Sequence, residues 1–281
     1  MAILKFRRKK PAQKPEQVRI EPRRMNFRFA DVPRHWAGGN AMLTHLLNAL
    51  SLTFPDGEQF FVDSVRAFRD RVTDPARRKE ISGFIGQEAM HSLEHNTFNE
   101  MLEAQGYADE AAGGQAEAQR RIGHGKEYLT PEQQLAATAA LEHITAILAH
   151  GLLRDPELIE SLDPSVRDLW IWHAIEETEH KAVAYDLFQD VSGDYRMRTG
   201  IFLTATSGLS AYALWYTWRF LKRDGLHRDP KTLASGLWKL FGWKGFISRL
   251  IPDYLDYLRP GFHPWDEDNS ELIAQWRAVL D

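Results

Sequence analysis

Two Glu-x-x-His units, Glu88-Ala89-Met90-His91 and Glu177-Thr178-Glu179-His180, carry the residues of this chain best suited to chemistry. In each, a carboxylate and an imidazole stand three residues apart and so share one helix face. The first face continues through Phe84, His95, Phe98 and Leu102, the second through Val166, Trp170, His173, Ala184 and Leu187. Burying a carboxylate beside imidazoles on such a face costs roughly several kcal/mol unless something satisfies it, and a bound cation is the usual solution. Two single carboxylates complete a set. Glu58 shares a face with Phe61, Val62, Val65 and Phe68, and Glu142 shares one with Leu135, Thr138, Thr145 and Ala149. The order Glu, Glu-x-x-His, Glu, Glu-x-x-His is what a metal-binding four-helix bundle requires of its helices. The expected metal ligands are therefore Glu58, Glu88, His91, Glu142, Glu177 and His180.

Four carboxylates and two imidazoles without sulfur suit two divalent first-row ions bridged by Glu side chains, with iron favoured and manganese the alternative. Iron would bring redox chemistry with dioxygen as co-substrate, and the first reading is a di-iron oxidase or oxygenase. The alternative is a binuclear hydrolase whose ions act as Lewis acids and generate a hydroxide nucleophile. A non-catalytic metal-binding bundle is the third reading. His95 lies one turn beyond His91, and His173 one turn before Glu177. Both are assigned as catalytic candidates, open between extra ligand, partner of a ligand and acid/base group. Glu94, Glu176 and Glu179 fall off the central stripes and read as outer-face charges.

These residues need long helices, and the chain supplies start signals for them. Asp74-Pro75 and Asp163-Pro164 each place an N-cap before a proline at the first helical position, and Thr130-Pro131-Glu132-Gln133 is a capping box. They predict a helix of about 30 residues, roughly 45 Å long, ending at Gly106, a second from Pro131 to Leu153, and a third from Pro164. Pro55-Asp56-Gly57 reads as a break before the Glu58 helix, and residues 111–125 as a polar, Gly-rich connection with some helical character. Gly83 and Gly86, inside the longest helix, predict a close contact or a kink. His35, His45 and His124 read as ordinary histidines. His143 stays open as a ligand or partner of a ligand, and His263 is open between a structural role, the first reading, and reaching the cluster from outside the four helices.

With 281 residues, 43% of them hydrophobic, the chain can bury one sizeable core. The absence of Cys excludes disulfides, thiolate metal sites and cysteine nucleophiles and fits a reducing compartment. A formal charge of −4 gives no global attraction to nucleic acid, and none is expected as a partner. Residues 1–28 are basic and read as a flexible arm, residues 29–194 as the metal-binding bundle, and 195–281 as an apolar and aromatic helical extension packed on it. The opening Met1 to Phe6 is too short for a signal peptide, so a cytoplasmic location is expected. No residue from Thr199 to Trp218 is charged, and Leu237 to Arg249 mixes Trp, Phe and Lys. The first run reads as a buried helix, a lipid-facing surface or a span, and the second as interfacial, giving peripheral contact at the inner face of the membrane. A lipophilic small-molecule substrate follows from the same composition. A homodimer is another way to cover that surface. For an oxidase, the electrons would come from a separate reductase, a small reductant or the substrate itself.

The run Gly86-Gln87-Glu88-Ala89-Met90-His91-Ser92-Leu93-Glu94-His95, the later Glu177-Thr178-Glu179-His180 and the terminal Tyr257-Leu258-Arg259-Pro260-Gly261-Phe262-His263-Pro264-Trp265 resemble a bacterial family labelled "predicted metal-dependent hydrolase". The likeness covers residues 25–275. More distantly, the ligand order is similar to ferritin-like di-iron carboxylate proteins. That similarity implies an all-α, ferritin-like four-helix bundle with additional C-terminal helices, and oxygen-dependent chemistry at the six residues named above. His95 and His173 depart from the pattern.

Overall fold

The computed structural model describes residues 13–280, and among them the protein is all-α, with one isolated β-bridge between Ala37 and Leu162. Twelve α-helices follow in order: α1 (Ala41–Ser51), α2 (Phe54–Arg66), α3 (Pro75–Leu102), α4 (Ala108–Tyr128), α5 (Pro131–Leu153), α6 (Pro156–Ser161), α7 (Pro164–His180), α8 (Val183–Val191), α9 (Tyr195–Arg223), α10 (Pro230–Phe241), α11 (Ile251–Asp256) and α12 (Ser270–Leu280). The predicted starts hold. The side chains of Asp74 and Asp163 accept from Ala76 N and Ser165 N, and Thr130 and Gln133 complete their capping box. Gly106 leaves helical geometry at φ +92°, which glycine adopts without a Cβ clash, and so ends the helical run begun by α3.

α2 packs on α3, α5 on α7, α2 on α5 and α3 on α7, so the four helices carrying the candidate ligands enclose one interior. Their predicted inner faces are buried: Phe84, Glu88, His91, His95, Phe98 and Leu102 of α3 have no exposed surface. α9 lies along α1 and α5, α10 against α1, and α12 against α7.

Local expectations fail in four places. α2 begins at Phe54 rather than after Gly57, because Pro55 lacks only a hydrogen bond that a first turn does not use. Residues 111–125 are not a connection but the middle of α4, whose small residues approach α9: a Cβ on Gly114 would lie 2.8 Å from the Tyr212 hydroxyl. The Val166-to-Leu187 face is split between α7 and α8 by a turn after His180. The fourth concerns the basic arm. Residues 1–12 of that stretch lie outside the described residues, but 18–27 form a strap across α3, with Val18 and Ile20 buried. Gly83 and Gly86 admit it, since a Cβ would stand 2.3 Å from the Ile20 carbonyl oxygen or from Pro22 Cγ.

The uncharged run 199–218 is the middle of α9. Phe202, Thr206, Tyr212, Ala213 and Tyr216 are buried, whereas Leu203, Leu214, Trp215 and Trp218 are exposed. Among the described residues only α5 has the length and hydropathy of a membrane span, and most of it lies inside the fold.

Candidate metal centre

The six expected ligands meet in the interior of the four helices. Glu58 comes from α2, Glu88 and His91 from α3, Glu142 from α5, and Glu177 and His180 from α7, each at most 3% exposed. Their donor atoms form overlapping triads, Glu88, Glu142 and His180 in one and Glu88, His91 and Glu177 in another, with all atoms of a triad within 4.8 Å of one another. A third triad joins Glu58 and His91 to His173. Glu88 and Glu177 occupy the middle. His180 Nε2 is 3.0 Å from Glu88 Oε1, 3.3 Å from Glu142 Oε2 and 3.7 Å from Glu177 Oε2, and His91 Nδ1 is 3.5 Å from Glu177 Oε1.

These approaches do not satisfy the groups. Glu58 Oε1, both oxygens of Glu88 and of Glu142, Glu177 Oε2, both nitrogens of His91 and His180 Nε2 are buried with no hydrogen-bond partner, although several lie within ion-pair distance. Orphaned buried oxygens at this density are expected only where another species completes them. The four carboxylates carry a charge that two divalent cations would cancel, and oxygen-dominated donors of this kind suit hard or borderline first-row ions. The residues present therefore fit a pair of divalent ions.

Proton affinities express the same imbalance. Burial, with the other carboxylates nearby, pushes Glu58 up to about 8 and Glu142 up to about 7, and holds Glu88 well above its ordinary range. Glu177 moves the other way: burial would raise it, but His173, His180 and His91 hold it well below. For His91 and His180 burial is outweighed by the surrounding carboxylates, and both are raised.

Around the donors runs a layer that orients them. Gln87 Nε2 donates to Glu179 Oε2 at 2.9 Å, which turns Gln87 Oε1 toward His180 Nδ1 at 3.0 Å. An amide oxygen only accepts, so His180 holds a proton on Nδ1, which leaves Nε2 as the atom that faces Glu88 and Glu142 and would bind an ion. His91 Nε2 lies 3.2 Å from Glu176 Oε2, and Trp172 Nε1 donates to Glu176 Oε1 at 2.9 Å. The strap supplies Arg23, whose guanidinium bridges Glu176 at 2.8 Å and Glu179 at 3.0 Å, and α12 supplies Arg277, 2.7 Å from Glu179. Two guanidinium groups thus balance the two carboxylates of this layer.

This corrects the reading of Glu94, Glu176 and Glu179 as outer-face charges. The strap and α12 cover the side of α7 away from the bundle, leaving Glu176 and Glu179 with no exposed surface. Glu94 accepts from the backbone N–H groups of Asn26 and Phe27 at 2.6 and 2.9 Å. Arg23 was legible only as one of many basic residues, and Gln87 gave no signal beyond its place before Glu88. His95 adjoins the centre through His173, 2.6 Å away, whereas His143, His263, His35 and His45 sit apart from it. His143 Nε2 faces the Asp253 carbonyl oxygen at 3.0 Å, and His263 Nε2 faces Asp186 at 2.9 Å. His35 and His45 both meet Asp224 at 2.8 Å, where Tyr107 and Arg34 also bind.

Two cavities border the centre. One of about 490 Å³ lies among α2, α4, α5 and α9; Phe54, Phe60, Phe61, Leu141 and Leu209 line it, and Glu58 is its only carboxylate. A smaller one of about 60 Å³ is lined by Leu47, Trp170, Phe246 and other apolar groups together with His173 and Glu177. Phe54 and Thr145 belong to both.

Residues 21–268 match the model of a family described as "Predicted metal-dependent hydrolase". The chain belongs to this family. No curated protein and no solved structure matches it. The metal dependence in the family's description agrees with the donor groups gathered inside the four helices. Iron, dioxygen and oxidoreductase chemistry have no counterpart in the family description, which reverses the order in which the residue types alone ranked oxidation and hydrolysis.

Proposed function

We propose that the protein is a binuclear metal-dependent hydrolase that cleaves an ester or related acyl bond in a substrate with an apolar chain. The observation that carries the reading is the convergence of unpartnered carboxylate and imidazole atoms beside two largely apolar cavities, the larger of which also has Arg120, Arg121 and His124 in its wall. Glu58 and His91 would hold one ion, Glu142 and His180 the other, with Glu88 and Glu177 shared. When bound, such ions supply Lewis acidity, polarising an acyl oxygen and lowering the pKa of water. The chain's own part is positioning. Phe54, Phe60, Phe61 and Leu209 receive the apolar chain and exclude water from it, while Gln87 and Glu176 keep the imidazoles aimed at the centre.

A second reading, oxygen-dependent oxidation at a di-iron centre, is favoured by the donor set itself, since four carboxylates with two Glu-x-x-His histidines are the pattern of di-iron and di-manganese carboxylate proteins. The two separate experimentally. The zinc or manganese form, under strict anaerobiosis, is expected to hydrolyse 4-nitrophenyl octanoate, to incorporate solvent oxygen into the acid, and to lose this activity in Glu88→Ala. Zinc neither donates nor accepts electrons. Absence of hydrolysis in every metal form, with dioxygen consumption coupled to an oxidised organic product in the iron form, would reject hydrolysis in favour of oxidation.

A further inference from the structure

His173 Nε2 stands 2.9 Å from Glu177 Oε1, and its Nδ1 is 2.6 Å from His95 Nε2. Where the protons lie in this chain follows from its far end. Asn99 Nδ2 is 3.1 Å from the Ser51 carbonyl oxygen, which only accepts, so the Asn99 amide orientation is fixed and its Oδ1 faces Ser51 Oγ at 2.8 Å. The single hydroxyl proton of Ser51 is used in that bond. Ser51 Oγ must then accept from His95 Nδ1, 2.9 Å away, so His95 carries its proton on Nδ1. A neutral His95 presents a bare Nε2 to His173, and His173 donates from Nδ1. Nothing is left on His173 Nε2 except a lone pair directed at a carboxylate oxygen.

Two lone-pair atoms at that distance repel unless a proton or a cation lies between them. A proton would leave either a His173 imidazolium, against the Phe54 ring at 4.8 Å and stacked on the His91 ring at 4.2 Å, or a neutral Glu177 carboxyl that no longer offsets the imidazoles around it. A first-row ion needs neither. Two donors about 2.1 Å from one ion and at a right angle lie about 3.0 Å apart, which is the spacing found. His173 also has a donor atom within 4.8 Å of those of Glu58 and His91.

We propose that His173 is a metal ligand through Nε2, on the same ion as Glu58 and His91, and that His95, Ser51 and Asn99 are positioning residues that fix its tautomer. This rests on the binuclear reading but is independent of the reaction catalysed. It makes the centre unsymmetrical, with two imidazoles on the ion near α2 and one on the ion near α5. The additional imidazole replaces an anionic or solvent ligand at that ion, and it places a coordination bond beside the smaller apolar cavity, whose lining includes His173.

The test uses the full chain loaded with cobalt(II), with metal content measured in parallel. Each imidazole bound to the paramagnetic ion gives one strongly shifted, exchangeable N–H proton signal. Three are expected in the wild type, from His91, His180 and His173, at two cobalt ions per chain. His173→Ala should lose one signal and weaken the second ion selectively, and His95→Phe should move that same signal and weaken the second ion by about 10–100-fold, as loss of an outer partner does. Retention of the other two signals and of one bound ion shows that a variant is folded. Two signals in a wild type holding two ions would overturn the assignment while leaving the centre intact, as would a His173→Ala variant with unchanged cobalt affinity. A wild type that takes up no cobalt would overturn the centre and this inference together.

Discussion

Removal of Arg23 tests the layer behind the metal donors. Arg23 pairs at 2.8 and 3.0 Å with Glu176 and Glu179, both without exposed surface. Breaking a buried pair from one side costs roughly 3–5 kcal/mol, because a charge is left uncompensated in the interior. Arg277 stays 2.7 Å from Glu179 and Trp172 Nε1 still donates to Glu176, so the loss falls mainly on Glu176 and the low end applies. Arg23→Met, which keeps the apolar stem, is expected to lower unfolding free energy by about 3 kcal/mol. A second effect follows through His91. Once Glu176 takes up a proton, the negative charge 3.2 Å from His91 Nε2 is gone, and metal affinity should fall about 10–100-fold. Denaturant unfolding of the metal-free protein reads the first effect, and competition against a chelator reads the second. Arg23→Met combined with Glu176→Gln should recover part of the stability, since the unpaired charge is then gone. A single variant that loses less than about 1 kcal/mol and binds metal as the wild type does would refute the argument, for that is the scale of an exposed pair.

Two other perturbations address parts away from the centre. His150 is buried near Arg154, and burial followed by that charge pulls it down to about 4. Its folded value lies below the unfolded one, about 6.5, so the unfolded chain binds the extra proton between the two. Its contribution is full above about pH 6.5 and is lost as pH falls toward 4, on the order of 2 kcal/mol after discounting for its partly wetted edge. Denaturation midpoints should fall over that window in the wild type, and a His150→Gln variant that falls equally would exclude this residue as the cause. Trp215, Trp238 and Trp243 are 54%, 72% and 89% exposed, with Arg219, Lys239 and Lys244 nearby in sequence. We propose that they give partial affinity for anionic bilayers. Flotation with anionic vesicles should carry part of the protein upward, less so for Trp238→Glu, and full recovery in the soluble fraction with either lipid would remove the proposal.

The parts of the fold legible in the sequence are those set by local spacing. Asp74-Pro75, Thr130-Pro131 and Asp163-Pro164 declare helix starts through their own backbone chemistry, and the faces of Glu88 and Glu177 are stated by a 3.6-residue period. The donors could be named because a carboxylate between Phe84 and Phe98 has few alternative explanations. Glu176 and Glu179 were misjudged for the complementary reason. Period assigns a residue to a face but not what covers that face, and α7 is covered on its second side by segments more than 90 residues away. α4 was misjudged because its glycines lower helix propensity while permitting the close approach to α9 at Gly113 and Gly114. The tautomer of His173 depends on Ser51 and Asn99, which no spacing rule joins to Glu177.

The strap has a consequence for the order of assembly. Arg23 meets glutamates 153 and 156 residues further along the chain. At a synthesis rate of about 5–20 residues per second, the strap waits several seconds or more for its docking site to exist. Until α7 is complete, Arg23 has no counter-charge at its destination, whereas Glu176 and Glu179 find Arg23 already present. Closure of the outer layer therefore follows the completion of α7, and Arg277 of α12 joins it only after that.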